Sequence, residues 1–281
     1  MRVKIVLGIL LIVISLLVLS TAVREPRNDR VWDQEVEYIA TASLGTDGTV
    51  TIKNARDFTY GDGVVDTTRW ETIIVKPDDI VKVWFVLEPF SGWKAIGHTF
   101  LSFELADGSA YSFSVEARRE EGEKYSVFQG LRNEYELAYM WGTERDFITR
   151  RLLYLMHPVH MYPLTIDREQ AKALFMGLIE RTNDLAEKPR FYNTFTANCT
   201  NMLAKIANEI KPGMIPWDLS WYLPGYADRF LMRIGLIKTD QPAEEARATH
   251  DLTEKRSDIL KIAHYAHAQF SKELREILLS E

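Results

Sequence analysis

The chain has 281 residues, 46% of them hydrophobic and 26% charged, and a formal net charge of −6. That length suits one large domain or one domain with appendages, and the acidic balance, without an RNP-like or zinc-finger pattern, gives no case for nucleic acid. A single cysteine, Cys199, excludes an intramolecular disulfide and a cysteine-rich zinc site.

The N-terminal "MRVKIVLGILLIVISLLVLSTAV" places Arg2 and Lys4 before an apolar run from Ile5 to Val23. A run of roughly 19 residues is long for a secretory leader and long enough to cross a bilayer as a helix. Ser20-Thr21-Ala22 also fits a cleavage site, so residues 1–23 read as a membrane anchor or a signal peptide. Arg24, Arg27 and Arg30 beyond the run rival the basic residues before it, so charge does not fix the orientation. Either way the body of the protein is expected to be exported. No second span is expected, because later apolar runs are short and interrupted by charge.

Residues 24–46 begin with the polar "REPRNDRVWDQEVEYIA" and read as a linker. Strand-like segments follow. "GTVTIKNARDF" alternates after the turn residues Asp47-Gly48, and "RWETIIV" and "DIVKVWFVLEPF" are rich in β-branched and aromatic residues. In "IGHTFLSFELADGSAYSFSVEARR" two alternating runs flank Asp107-Gly108, the strongest hairpin signal in the chain. From about residue 143 the pattern turns helical. "TERDFITRRLLYLM" fits a short amphipathic helix, "HPVHMYPL" an extended segment, and the stretch after Asp167 a helix capped by Asp167 and Gln170 and stopped near Pro189. "NCTNMLAKIANEI" predicts a helix ending before Pro212-Gly213, "LPGYADRFLMRIGLI" a short one, and Leu252 to Leu279 one amphipathic helix. Strands first, then helices, predict an α+β fold with an antiparallel sheet packed with helices. The body runs over residues 47–237, with residues 238–281 a C-terminal linker and helix.

Several chemistries lack their signatures. There is no Gly-rich phosphate loop, dinucleotide fingerprint, His-Glu-x-x-His or Gly-x-Ser-x-Gly, and no cofactor is expected. His157 and His160 lie in an extended segment, where i and i+3 point to opposite faces. His264 and His267 share a predicted helix face without a carboxylate or thiol beside them. All four read as solvated or core histidines, and no metal site is expected. "SVEARREEGEKYS" suits a solvated strand end, or Glu116, Arg118 and Arg119 orient a catalytic group or grip an anionic head group.

A lone cysteine is commonly a small buried hydrophobe. Asn198-Cys199-Thr200 also matches the N-glycosylation acceptor in form. Yet "NTFTAN" favours turns and caps, and Met202, Leu203, Ile206, Ala207 and Ile210 follow with helical spacing. Cys199 is thus expected in a first helical turn, where free N–H groups and the dipole favour a thiolate and could form an oxyanion hole. A nucleophilic thiol needs a base, and His98 beside Gly97 on a predicted strand is the candidate. Position alone leaves buried sulfur and nucleophile both open.

"NARDF", "HTFLSFEL", "SVEARREEGEKYS", "YELAY", "ERD", "FYNTFTANCT" and "LPGYADR", in this order from roughly Thr49 to Leu236, resemble the Lnb N-terminal periplasmic domain family. The arrangement is similar to circularly permuted papain-like folds, including NlpC-type peptidases and lecithin:retinol acyltransferase. There a strand histidine precedes a helix-tip cysteine, often in an Asn-Cys pair. The resemblance implies a catalytic pair of Cys199 and His98, with Glu116 orienting His98 and Asn198, Arg118, Arg119 and Tyr192 binding substrate. A two-residue loop at Asp107-Gly108 would turn Glu116 away from His98, and a three-residue loop with a bulge would bring it round.

The implied activity is lipoprotein acyl transfer at the bacterial inner membrane, from the diacylglyceryl group to the N-terminal amine. The domain would lie in the periplasm, tethered by the leader or released if it is cleaved, with the membrane and a lipoprotein or lipid substrate as partners. Members active in this transfer carry further membrane spans, which this sequence lacks, so water or another amine is an alternative acceptor. Two other readings compete: a cell-wall amidase or peptidase of the NlpC-like class, and a non-catalytic envelope binding module.

Overall fold

The computed structural model describes residues 24–90 and 93–279. The apolar run read as an anchor or signal peptide lies outside them, and no helix among the described residues is long and apolar enough to cross a membrane.

The strands are β1 (Thr41–Leu44), β2 (Val50–Arg56), β3 (Thr59–Tyr60), β4 (Val65–Thr67), β5 (Trp70–Val75), β6 (Ile80–Pro89), β7 (Gly97–Leu105), β8 (Ala110–Arg118), β9 (Glu136–Thr143) and β10 (His160–Pro163). The helices are α1 (Val127–Leu131), α2 (Glu144–Thr149), α3 (Arg168–Glu187), α4 (Cys199–Ile210), α5 (Ala227–Arg233), α6 (Ala243–Thr249), α7 (Arg256–Ile262) and α8 (His267–Leu279). One sheet has the order β1-β2-β9-β8-β7-β6-β10, with β5 also on β2, and β3 and β4 pair apart from it. Its pairs are antiparallel except β2 with β9, which run parallel where Arg56 meets Gly142. The α+β architecture with a largely antiparallel sheet is therefore the one expected.

Alternation sorts the sheet residues to two cores. Along β7, Leu101, Phe103 and Leu105 join one core with Phe113, Trp141 and the α3–α5 residues Phe175, Ile206 and Phe230. Phe100 faces the other, with Phe147 of α2, Ile259 of α7 and Phe270 and Leu274 of α8. His98 has the parity of Phe100 and Thr99 that of Leu101, so consecutive residues serve opposite faces of the sheet.

The hairpin loop decides the register. Gly108 N–H donates to Leu105 O and Leu105 N–H to Ser109 O, which closes a three-residue loop over residues 106–108. Gly108 sits at φ +83°, the left-handed region where glycine carries no Cβ penalty. Phe100 then pairs with Ser114, and the same register places Glu116 opposite His98.

Four elements differ from the sequence reading. β9 was not expected: "ELAYMWGT" is buried at every position, so it lacks the alternation that marks a half-solvated strand. Residues 24–46 are not a loose linker. Trp32 stacks under the Arg118 guanidinium at 4.1 Å, and Asp33 N–H donates to Arg119 O. The predicted helix after Thr143 changes to a π-helical turn at Arg150–Tyr154. The tail divides into α7 and α8, and the Tyr265 carbonyl between them accepts from Arg145. His264 consequently lies before α8 rather than sharing a helix face with His267.

Candidate active site

The start of α4 is built by side-chain hydrogen bonds. Asn193 Oδ1 accepts from the N–H groups of Phe195 and Thr196, turning the chain. Asn198 is extended at φ −105° and ψ 177°, and its Oδ1 accepts from Thr200 N–H and Asn201 N–H at 2.9 Å. Asn201 Oδ1 accepts in return from Asn198 N–H, which completes a capping box. Asn198 Nδ2 donates to the carbonyls of Thr194 and Trp221. Two donors and two lone pairs exhaust this amide. Asn198 therefore fixes Cys199 at the first helical position and has no capacity left for the substrate contact expected of it. The cap also takes the Thr200 and Asn201 amides proposed for an oxyanion hole, leaving Cys199 N–H as the first-turn donor it does not use.

Cys199 is buried and lines one cavity with His98 at the end of β7, close enough for the charges of the two to act on each other. His98 Nε2 lies 2.7 Å from Ser114 Oγ and 3.2 Å from Glu116 Oε1. Ser114 Oγ donates to the same Glu116 oxygen at 2.7 Å, so it accepts from a protonated Nε2. Nδ1 is then the ring nitrogen left for the thiol. Burial works against a charged imidazole, but Glu116 and the thiolate push His98 up to about 10. Burial likewise opposes the thiolate, yet the charge of His98 and hydrogen bonds from His98 and Thr99 hold Cys199 below the ordinary thiol value. Burial also penalises Glu116, and the charges of His98 and Arg151 hold its carboxyl well below the usual range. The three favour an ion pair of thiolate and imidazolium oriented by a carboxylate.

His98 has a carboxylate on each flanking strand, since Glu88 of β6 is its register partner. The π-helical turn sends Arg151 beneath both. Its Nε is 2.8 Å from Glu88 Oε2 and its Nη2 3.2 Å from Glu116 Oε1, with the guanidinium 4.3 Å over the Phe100 ring. Glu88 also meets His157 Nδ1 at 2.6 Å. Arg150 pairs with Glu35 at 2.6 Å, and Arg119 with the same carboxylate at 3.1 Å.

These groups line a cavity of about 400 Å³ that contains Cys199, His98, Glu116, Tyr192 and Arg119. Tyr192 reaches Tyr125 through its hydroxyl at 3.2 Å, and burial, with the nearby thiolate, raises its pKa. Arg118 does not line the cavity. Its donors go to the carbonyls of Val36 and Glu37, so its expected substrate role is replaced by clamping the N-terminal segment. Ser114, Glu88, Glu35, Arg150 and Arg151 were not singled out from the sequence, and His157 was read there as a solvated or core histidine. Ser114, two residues before Glu116 on an alternating strand, was the one with a readable signal. His157 and His160 part company: the latter lies against the Arg247 carbonyl. Among the described residues no group of three or more His, Cys, Asp or Glu side chains is placed to hold a metal.

Fold and site together define an α+β protein with a buried Cys-His-Glu constellation at a helix tip. The Lnb N-terminal periplasmic domain family profile matches residues 66–225, more than half of the chain, and the chain belongs to that family. That interval contains Cys199, His98 and Glu116. No curated protein and no solved structure gives a significant match.

Proposed function

We propose that this protein is a cysteine-dependent acyltransferase or hydrolase of the bacterial envelope, working in the periplasm on acyl esters of lipoproteins. The observation that carries this reading is Cys199 sharing a cavity with a histidine that Glu116 and Ser114 orient. The order of strand histidine and helix-tip cysteine also resembles circularly permuted papain-like enzymes. In the first step the Cys199 thiolate attacks the ester carbonyl, the carbon–oxygen bond to the glyceryl group breaks, and His98 gives its proton to the departing alkoxide. The product is a thioester on Cys199. An amine or water then attacks that carbonyl while His98 takes its proton, the carbon–sulfur bond breaks and the thiolate returns. Cys199 N–H is positioned by the cap to donate to the oxyanion in both steps. The apolar leader would hold the domain at the membrane surface, as an anchor or until cleavage.

A second reading, a wall amidase or peptidase, draws support from the charged lining of the cavity, where Glu35, Arg119 and Arg150 suit a polar peptide. Incubation with a diacylated lipoprotein and, separately, with peptidoglycan fragments separates the two. The expected result is relocation of one acyl group to the amine, or its loss, located by tandem mass spectrometry and abolished by Cys199→Ser. Cleavage of the wall fragments alone would replace this reading with the amidase, and no change in either would favour a binding module.

A further inference from the structure

Behind α4, on the face of the sheet opposite His98, lies a second and chemically different space. It is a slot of about 80 Å³ walled by Leu101, Leu174, Leu203, Ala204, Ile215 and Phe230 among others. Its lining is apolar apart from the Trp221 indole N–H and the hydroxyls of Thr99 and Thr200. Protein interiors rarely leave room for more than a water or so, and a dry apolar void forfeits the dispersion contacts of its walls. Such voids take up apolar ligands rather than water. An apolar cavity of about 150 Å³ takes a six-carbon benzene, so at about 25 Å³ per carbon this one holds about three.

Its inner end is tied to the nucleophile. Thr200 Oγ1 is 3.8 Å from Cys199 Sγ and 3.0 Å from Thr99 Oγ1. Thr200 therefore touches the sulfur on one side and, with the Thr99 hydroxyl bonded to it, lines the slot on the other. Along the outer wall, Met214, Ile215 and Trp221 line the slot while Trp217 and Leu219 between them are 66% and 62% exposed. An apolar approach from outside thus leads toward an apolar space that ends at Thr99 and Thr200, the latter 3.8 Å from the sulfur.

We propose that this slot receives the hydrocarbon chain of the acyl group carried by Cys199, drawn from a diacylglyceryl ester, and seats about three of its carbons. The proposal rests on the acyl-transfer reading but is tested apart from it. Alkyl methanethiosulfonates of one to eight carbons convert a thiolate to a mixed disulfide with release of methanesulfinate, without needing turnover. Labelling of Cys199, followed by mass spectrometry, is expected to quicken about threefold for each added methylene up to about three or four carbons and then level off. Ala204→Phe fills the slot from α4, and Ile215→Phe fills it from the half-buried outer wall, where a larger ring is more easily accommodated. In either folded variant the methyl reagent should react as in the wild type while the chain-length gain disappears. A flat series in the wild type, or a gain that persists in both variants, would overturn the slot. Hydrolysis of p-nitrophenyl esters of matching lengths is the second arm. A rising labelling series with no ester turnover retains the slot and overturns the catalytic reading; turnover with a flat series does the reverse.

Discussion

At the scale of residues, the chemistry turns on the proton shared between Cys199 and His98. An isolated thiol ionises near about 8.5, and burial alone would raise that. The imidazolium reverses the sign because its charge stands beside the sulfur, while Glu116 keeps the ring protonated up to about 10. The ion pair therefore occupies the window from the lowered thiol value to about 10. Alkylation of Cys199 by iodoacetamide should accordingly level off at a lower pH than that of an ordinary thiol, whose rate still climbs about tenfold between about pH 7.5 and 9. In His98→Ala burial acts without its counterweight, so the inflection should move to about 8.5 or above. An unchanged profile would dissolve the dyad. Glu116→Gln tests the next link. It removes the largest charge favouring the imidazolium, and the His98 ring resonances should titrate at least about one unit lower by NMR. Titration unmoved by this change would assign the raised value to Glu88, the carboxylate on the other flanking strand.

At the scale of elements, the short 3₁₀ turn at Gln34–Val36 closes the cavity by lending it Glu35. Burial opposes that charge, but Arg150, with Arg56 and Arg119, lowers its pKa from 4.5 to about 2. The sign follows from the lowered value: the stabilisation is full above 4.5 and is lost as pH falls toward 2. Its size is about 3 kcal/mol at neutral pH. Glu35→Gln should cost about that much in urea unfolding at pH 7 and less than half as much at pH 3, whereas an equal loss at both would deny the ion pair its role. Nothing in "WDQEVEYIA" announced this, because a charged residue in a polar stretch looks solvated until Arg150 arrives from a π-helical turn more than a hundred positions later. Local chemistry was more readable. The capping box of Asp167 and Gln170 and the helix start at Cys199 both lie within a few residues of their signals. Asp107-Gly108 announced a hairpin but fitted loops of two or three residues, and only the second sets Glu116 against His98. Asn198 could not be read so fully from the sequence: its side chain makes two bonds in the cap and two to the Thr194 and Trp221 carbonyls, the last of them 23 positions away.

At the scale of the whole molecule, one sheet serves two cores, and this bears on where the domain ends. Phe100 and Leu101 are neighbours on β7 yet face opposite cores, so neither core can open without uncovering strands that bound the other. Residues beyond 237 supply much of the cover on the Phe100 side through Leu252, Ile259, Phe270 and Leu274. The same face carries His98, Ser114 and Glu116, so the tail closes the layer beneath the candidate site. We therefore expect the tail to unfold with the body rather than as an appendage. Phe270 is completely buried, and Phe270→Ala should cost about 3–5 kcal/mol. The decisive measurement is where that loss registers. Trp141 lies in the opposite core against Phe113 and Phe175, remote from α8, and its indole N–H, bonded to Thr182, gives an NMR resonance that reports on the body. In one cooperative unit, that resonance and far-ultraviolet circular dichroism shift together to lower urea in Phe270→Ala. If the tail is independent, circular dichroism shows an early partial transition while the Trp141 resonance is lost at the wild-type midpoint, and the boundary near residue 237 regains its meaning.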